Sequence, residues 1–523
     1  MVQSKLIKSK LIYFFLFLDN SLNCSDSKFM LLHIDTNRIL GKRDPMIYGH
    51  FIEHFHRQIY GGIFDPENPL SDKDGFRTDV IEALKRIKAP VLRWPGGCFV
   101  SAWHWKDAIG PERVPAFDKA WRVEEPNTFG TGEFIAFCRK TGCAPYICTN
   151  AGSGSAEEMS DWVEYCNLKN EGQWAKLRIK NNDIEPYNVK YWSIGNENYL
   201  GGEIGAKSAE EWGRLVCEAS KMMKRVDPSI ELSAAALADL DWNINLLRNA
   251  GERLSWISIH QYWDGLWQNN DYADYEACMA YTNTLDSQVK KVRGLLTAMG
   301  LEKKIRIAFD EWNLRGWHHP RVDDGLKPED YIKPRDLNDE NSRYTMADAV
   351  FTACFLNMAN RNCDIIGMAN FAPVVNTRGI IFTHKDGVVL RSAYHVFDMY
   401  MNEMGNTVLD SLVSDVPVLN VRNKEGKNTE TPALDLLATL DSSGNIVIGA
   451  VNKDPSNSHK LSFSCKEKPG SFTVRTLNGS SPDSYNDIGK NDSVPNDIYE
   501  QTYKEEDGIT LPPHSVNIIK FIN

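Results

Sequence analysis

The chain lacks any apolar run of the roughly 18 residues that would cross a bilayer. Its eleven cysteines are scattered, odd in number and include no C-x-x-C pair. A disulfide framework is therefore excluded, and reduced core thiols are expected. Basic residues are in deficit, with 59 Lys and Arg against 70 Asp and Glu for a net charge of −11. That balance argues against nucleic acid or an anionic membrane surface as the main partner. No glycine-rich phosphate loop follows an early strand, so a doubly wound dinucleotide-binding sheet lacks its marker.

What is present is an ordinary globular composition, 42% hydrophobic and 25% charged over 523 residues, enough for two or three domains or one large barrel with an accessory domain. Fourteen Trp and nineteen Tyr offer flat faces that suit sugars, although most will be core. Near the start, Lys5, Lys8 and Lys10 precede LIYFFLFL (11 to 18), the shape of a short signal peptide. No small-x-small cleavage site follows, and SLNC (21 to 24) matches a lipoprotein box only loosely, because Asn23 stands where a small residue is expected. Residues 1 to 29 are read as a leader or an N-terminal extension. The unpaired thiols favour the cytoplasm; a true signal peptide would mean export.

From 46 to 405, short apolar runs alternate with amphipathic segments. The eight runs are MIYGHFI, APVLRW, APYICTN, VKYWSI, IELSAAA, LSWISIH, KIRIAF and DIIGMANF. Helical patterns between them include 76 to 88, 155 to 167, 208 to 226, 285 to 300 and 344 to 361, with Ser155 and Ser208 as N-caps and Gly300 as a C-terminal cap. Eight such units predict a closed α/β barrel, the (β/α)8 TIM fold. After 405 the pattern turns to strand-like runs separated by turn clusters, which predicts an antiparallel β-sandwich over 406 to 523. The segment LLHIDTN (31 to 37), within 30 to 45, is expected to give that domain an edge strand.

The stretch GHFIEHFHRQIYGG (49 to 62) contains the string His50-x-x-Glu53-His54, which matches an inverted zinc-peptidase motif. Zinc would need His50 and His54 one helical turn apart. Pro45, Gly49 and the apolar β-branched and aromatic neighbours instead describe a buried strand running into a loop. No further Cys or His cluster has zinc spacing, so no metal and no cofactor is expected.

Reactive residues of such barrels sit at the C-terminal strand ends. The fourth run ends in Asn196 and Glu197, and the seventh in Asp310, Glu311 and Asn313. Two carboxylates facing each other across a barrel mouth are what glycoside cleavage needs: one to protonate the leaving oxygen, one to attack the anomeric carbon. A gap of about 5 Å would give retention, and roughly 6.5 to 9.5 Å inversion.

From about residue 31 onward the sequence resembles the α-L-arabinofuranosidases of glycoside hydrolase family 51. The resemblance is carried by YGHFIEHFHRQIYGGIFDP, LRWPGGCFVSAWHWKDAIGP, WVEYCN, YWSIGNENYLGGE, ISIHQYW, FDEWN and GMANFAPVVNTRG. It implies Glu197 as general acid/base and Glu311 as nucleophile, with Asn196 on the sugar's 2-hydroxyl. Tyr262 would steady the nucleophile, with His260 as its neighbour. Glu53, Arg93 and Cys98 would wall the pocket for one furanose ring. Many members end the eighth strand in A-Q-x-V-N, with the Gln on the sugar. Here Pro373 holds that place, leaving Asn376 or Asn370 as the candidate contact on this strand.

The activity implied is exo-acting release of terminal α-L-arabinofuranosyl groups from arabinoxylan, arabinan or their oligosaccharides, by a homo-oligomer without membrane or nucleic-acid partners. Alternatives are an endo-glucanase or xylosidase of the same clan, or a non-catalytic carbohydrate-binding barrel. Trp105, Trp121, Trp263 and Trp317 are candidate stacking aromatics near the mouth, and His318 and His319 candidate rim residues.

Overall fold

Parallel strands covered by helices are buried on both faces, and therefore read as unbroken apolar runs. The eight expected runs become eight such strands. They are β2 (Gly49–Phe51), β3 (Val91–Trp94), β4 (Ala144–Thr149), β5 (Tyr191–Ile194), β6 (Glu231–Ala236), β7 (Trp256–Leu266), β8 (Arg306–Trp317) and β9 (Ile366–Phe371). Each pairs with the next in chain order, and β9 pairs with β2 to close the barrel. The computed structural model describes residues 30–266, 272–317, 339–466, 470–495, 499–502 and 508–522. The segment 1–29, His318, His319 and the side chain of Trp317 lie outside the described residues.

Helices follow each strand where the capping chemistry places them. Ser155 accepts the Glu158 amide at 3.1 Å to start Ala156–Asn167. Ser208 and Glu211 form a reciprocal capping box ahead of Ala209–Val226. The first strand is shorter than MIYGHFI suggests. Asp44 caps the Met46 amide and Pro45 presets the backbone, so Pro45–Tyr48 winds as a 3-10 turn and only Gly49–Phe51 is extended.

Most of the C-terminal strands join one large, mostly antiparallel sheet, while Val418–Arg422 with Asn428–Pro432 and Asn486–Asp487 with Lys490–Asn491 form separate two-stranded ladders. The expected edge strand, β1 (Met30–Lys42), instead lies inside it, antiparallel to Thr407–Ser414 and parallel to His459–Cys465. Side-chain alternation fixes which face of a strand is buried, and Met30, Leu32 and Ile34 do point into the sheet's core. It says nothing about how many neighbours the backbone has. The opposite face of the sheet, with Val447, Val451, Val516 and Ile518, merges with the barrel core. Between sheet and barrel runs the helix Met346–Arg361, buried at every residue except Arg361. Arg361 forks onto Asp435 at 2.9 and 3.0 Å, fastening helix to sheet. Among the described residues no helix is long and apolar enough to cross a membrane.

Candidate active site

Glu311 and Asp310 are adjacent on β8, and a regular strand would send them to opposite faces. Between the pairs Ala308–Ser258 and Glu311–His260, β8 uses one more residue than β7. This bulge lets both carboxylates face the barrel interior. Glu311 Oε1 accepts from Arg93 Nη1 at 2.7 Å, and its Oε2 from the Tyr262 hydroxyl at 2.8 Å. Just past the end of β5, Glu197 has a left-handed backbone (φ 46°), a strained conformation that aims its side chain into the mouth. Its Oε1 lies 2.9 Å from His260 Nδ1 and 3.4 Å from the Tyr199 hydroxyl. One oxygen of Glu197, one of Glu311 and a ring nitrogen of His260 all lie within 4.8 Å of one another.

The charges are arranged around a fully buried guanidinium. Arg93 Nη2 donates to Asn196 Oδ1 at 2.8 Å, and Nε lies 3.5 Å from Asp310 Oδ2. Asp310 also accepts from the Tyr146 hydroxyl at 2.7 Å and the Ser258 hydroxyl at 2.5 Å. Burial disfavours its charge, yet Arg93 and then His260 hold it down to about 2. For His260, burial pushes down, but Glu311, Asp310 and Glu197 together carry it up to about 10. Burial raises Glu197, and the hydrogen bond and charge of His260, with Arg93, more than reverse that.

Glu53 closes the other side. Its Oε1 accepts from the Phe99 amide and from Trp121 Nε1, both at 3.0 Å. Burial, then the charge of Glu311, push its carboxyl up to about 8. A methyl group on Gly97 would sit 3.0 Å from Glu311 Oε1, 3.5 Å from Glu53 Oε1 and 3.6 Å from Asn196 Nδ2. Three polar side chains suited to sugar hydroxyls thus converge over a residue that has no side chain of its own. Asn196 Nδ2 is buried and has no acceptor among the described residues. Cys98 is half-buried, with its thiol against Glu197 and Glu203. Burial and the charges of Glu203 and Glu197 push that thiol well up, which denies it a thiolate's reactivity.

Asn376 does not belong to this group. Its Nδ2 donates to the Arg57 carbonyl at 2.7 Å and to the Thr383 hydroxyl at 2.8 Å, while its Oδ1 accepts the Thr383 amide at 2.8 Å. The amide is consumed in holding a turn. The zinc string also dissolves: the His50 ring packs on Phe397 at 4.7 Å, and burial lowers it to about 3. His54 has both nitrogens occupied, Nδ1 by Glu125 and Nε2 by Trp94 Nε1, each at 3.1 Å. Trp105 stacks on Trp162 within the core, and Trp263 is buried against Phe351, so neither lines the mouth.

Residues 83–279 match the family model described as the α-L-arabinofuranosidase 1 domain, and 310–515 the model of the α-L-arabinofuranosidase C-terminal domain. The chain is 31% identical to "Alpha-L-arabinofuranosidase C" of Emericella nidulans over 518 residues, covering 94% of this chain and 97% of that one. A solved α-L-arabinofuranosidase from Thermotoga maritima, in complex with arabinose, superimposes with a TM-score of 0.80 at 34% identity, over 94% of this chain and 99% of that one. The chain belongs to the family 51 α-L-arabinofuranosidases. A further relative, the "Intracellular exo-alpha-(1->5)-L-arabinofuranosidase" of Halalkalibacterium halodurans, is 33% identical over 441 residues, 82% of this chain and 85% of that one.

Within this family member the structure gives roles that the strand-end pattern did not assign. Asp310 anchors Arg93 and His260. Glu203, raised to about 7 by burial against the bonds from Cys98 and Ser101, backs Glu197. Trp121 orients Glu53 and does not act as a free stacking face. Gly97→Ala is expected to raise KM and lower kcat/KM by about 100-fold while leaving the thermal midpoint near wild type, since the methyl intrudes on the pocket and not on the core. Unchanged kinetics for this variant would place the sugar elsewhere.

Proposed function

We propose that the protein is an exo-acting, retaining α-L-arabinofuranosidase in which Glu311 is the nucleophile and Glu197 the general acid/base. The closeness of the two carboxylates, with an oxygen of each within 4.8 Å, carries this reading: it falls on the short side that retaining enzymes occupy and below the roughly 6.5 to 9.5 Å of inverting ones. Glu311 attacks the anomeric carbon as the glycosidic C–O bond breaks, and the leaving oxygen takes the proton of Glu197. Water, deprotonated by Glu197, then cleaves the glycosyl ester and restores Glu311.

The acid must begin protonated, although the free site holds Glu197 low. The proton is shared with His260 across 2.9 Å. His260 Nε2 lies 3.3 Å from ionised Asp310, so the imidazole can keep its Nε2 proton while Nδ1 returns the other to Glu197. Glu197–H beside neutral His260 and Glu197 anion beside imidazolium hold the same number of protons. A leaving oxygen arriving at Glu197 selects the first form. Asn196 Nδ2 is the donor free for the 2-hydroxyl, a contact that strengthens as the oxocarbenium-like state develops. The substrates are arabinoxylan, arabinan or derived oligosaccharides, and a homo-oligomer belongs to the same reading.

The test is Glu197→Ala on 4-nitrophenyl α-L-arabinofuranoside and on an arabino-oligosaccharide. The oligosaccharide, with its poor leaving group, should lose roughly 10²- to 10⁴-fold, and the nitrophenyl glycoside less in the glycosylation step. Azide should restore turnover and yield the azide of retained α configuration, while EDTA leaves the wild-type rate unchanged. Equal loss on both substrates with no azide product would remove Glu197 from the acid/base role.

A further inference from the structure

The resemblance implies a sugar-touching Gln at the position held here by Pro373, whose side chain has no hydrogen-bonding group. Five residues later the same loop delivers a cation to the pocket. The Arg378 guanidinium carbon sits 5.2 Å from the centre of the Tyr262 ring, the same tyrosine that donates to Glu311. Its charge is felt by Glu53 and by Tyr262. Among the described residues the guanidinium makes no hydrogen bond, and its Nε is buried without an acceptor. A buried guanidinium donor left unpaired is costly, and a rigid fork of donors is suited to a hydroxyl-rich ring.

The backbone carrying Arg378 is held against strain. Asn376 and Thr377 both have left-handed backbones, φ 54° and 47°, which is unfavourable above all for a β-branched residue. The turn persists because Asn376 is bonded to Arg57 and Thr383. Buried Arg391 also donates to the Thr377 carbonyl at 2.6 Å and to the Gly379 carbonyl at 2.8 Å. Asn313, on the nucleophile's own strand, donates to the Arg378 carbonyl at 3.2 Å. So many bonds around one strained turn fix where the next side chain points.

We propose that Arg378 is a specificity-determining residue of the sugar pocket, its guanidinium donating to a hydroxyl of the arabinofuranosyl ring in place of the contact Pro373 cannot make. This rests on the arabinofuranosidase reading above. A neutral hydroxyl is the partner and not a sugar carboxylate, because Glu53, Glu197, Glu203 and Glu311 already crowd the pocket with acid. Asn376 then acts through Arg378, positioning it.

The test compares wild type with Arg378→Met on 4-nitrophenyl α-L-arabinofuranoside and on its 2-, 3- and 5-deoxy analogues, with the thermal midpoint as a control for folding. The variant should lose about 10- to 100-fold in kcat/KM on the parent glycoside. On the one deoxy analogue that lacks the partner hydroxyl, wild type and variant should coincide. An equal loss on all four glycosides, or no loss on any, overturns the proposal. If wild type fails to hydrolyse the parent glycoside, it is the functional reading that falls. Calorimetric binding of methyl α-L-arabinofuranoside then decides Arg378 separately: weaker binding by the variant supports its contact, and equal binding overturns it.

Discussion

Glu311→Ala is expected to lose turnover by on the order of 10⁴-fold or more while the folded protein keeps its wild-type thermal midpoint. The loss is large because no neighbour can take over the attack. Glu53 lies on the pocket wall with one oxygen committed to Phe99 and Trp121, and Asp310 is locked beneath Arg93, Tyr146 and Ser258. Stability is spared because Arg93 retains Asp310 and Asn196 as partners, and one negative charge leaves a cluster rich in them. Azide separates this variant from Glu197→Ala. Under the proposed roles, azide in the cavity left by Glu311 attacks the anomeric carbon directly and gives the inverted azide, whereas after loss of Glu197 it opens the glycosyl ester and gives the retained one. The same anomer from both variants would falsify the assignment of roles.

The barrel was legible because burial on two faces writes strands as apolar runs, and because the residue after each run falls at the catalytic rim. Glu197 and Glu311 stand out on that ground alone. Asp310 could be placed at the rim, but its role could not be read there, because the bulge that turns it inward is a matter of register between β7 and β8, which no local pattern records. Arg378 and Glu203 are loop residues whose meaning comes from contacts made across the mouth. The assignment of Asn376 failed for a related reason. An Asn after a strand can face a ligand or bond its own loop, and the choice is made by Arg57 and Thr383, far from it in sequence or on the next strand. The edge position expected for β1 failed because alternation reports a strand's faces and is silent about its neighbours.

Arg93→Met is expected to destabilise the protein by about 3–5 kcal/mol at neutral pH, and to move the acidic limb of kcat/KM upward. The side chain is buried beneath the pocket and holds two carboxylates, Glu311 at 2.7 Å and Asp310 at 3.5 Å. Methionine fills much of the volume and leaves those acids with His260 as their remaining close cation. A carboxylate that loses its cation ionises less readily, so Asp310, which Arg93 does most to hold down, takes its proton at a higher pH, and activity that depends on its hold on His260 is lost first on the acid side. The stability effect carries its own signature. Asp310, held down to about 2 against roughly 3.9 in an unfolded chain, contributes stability that is fully present above pH 4 and disappears as pH falls towards 2. The gap in urea midpoint between wild type and Arg93→Met should accordingly be widest near neutrality and narrow through that window. A variant with the wild-type midpoint and an unmoved acidic limb would mean that Asp310 owes its ionisation to something other than Arg93. In that case His260, 3.3 Å from Asp310 and 3.6 Å from Glu311, would have to carry the whole cluster.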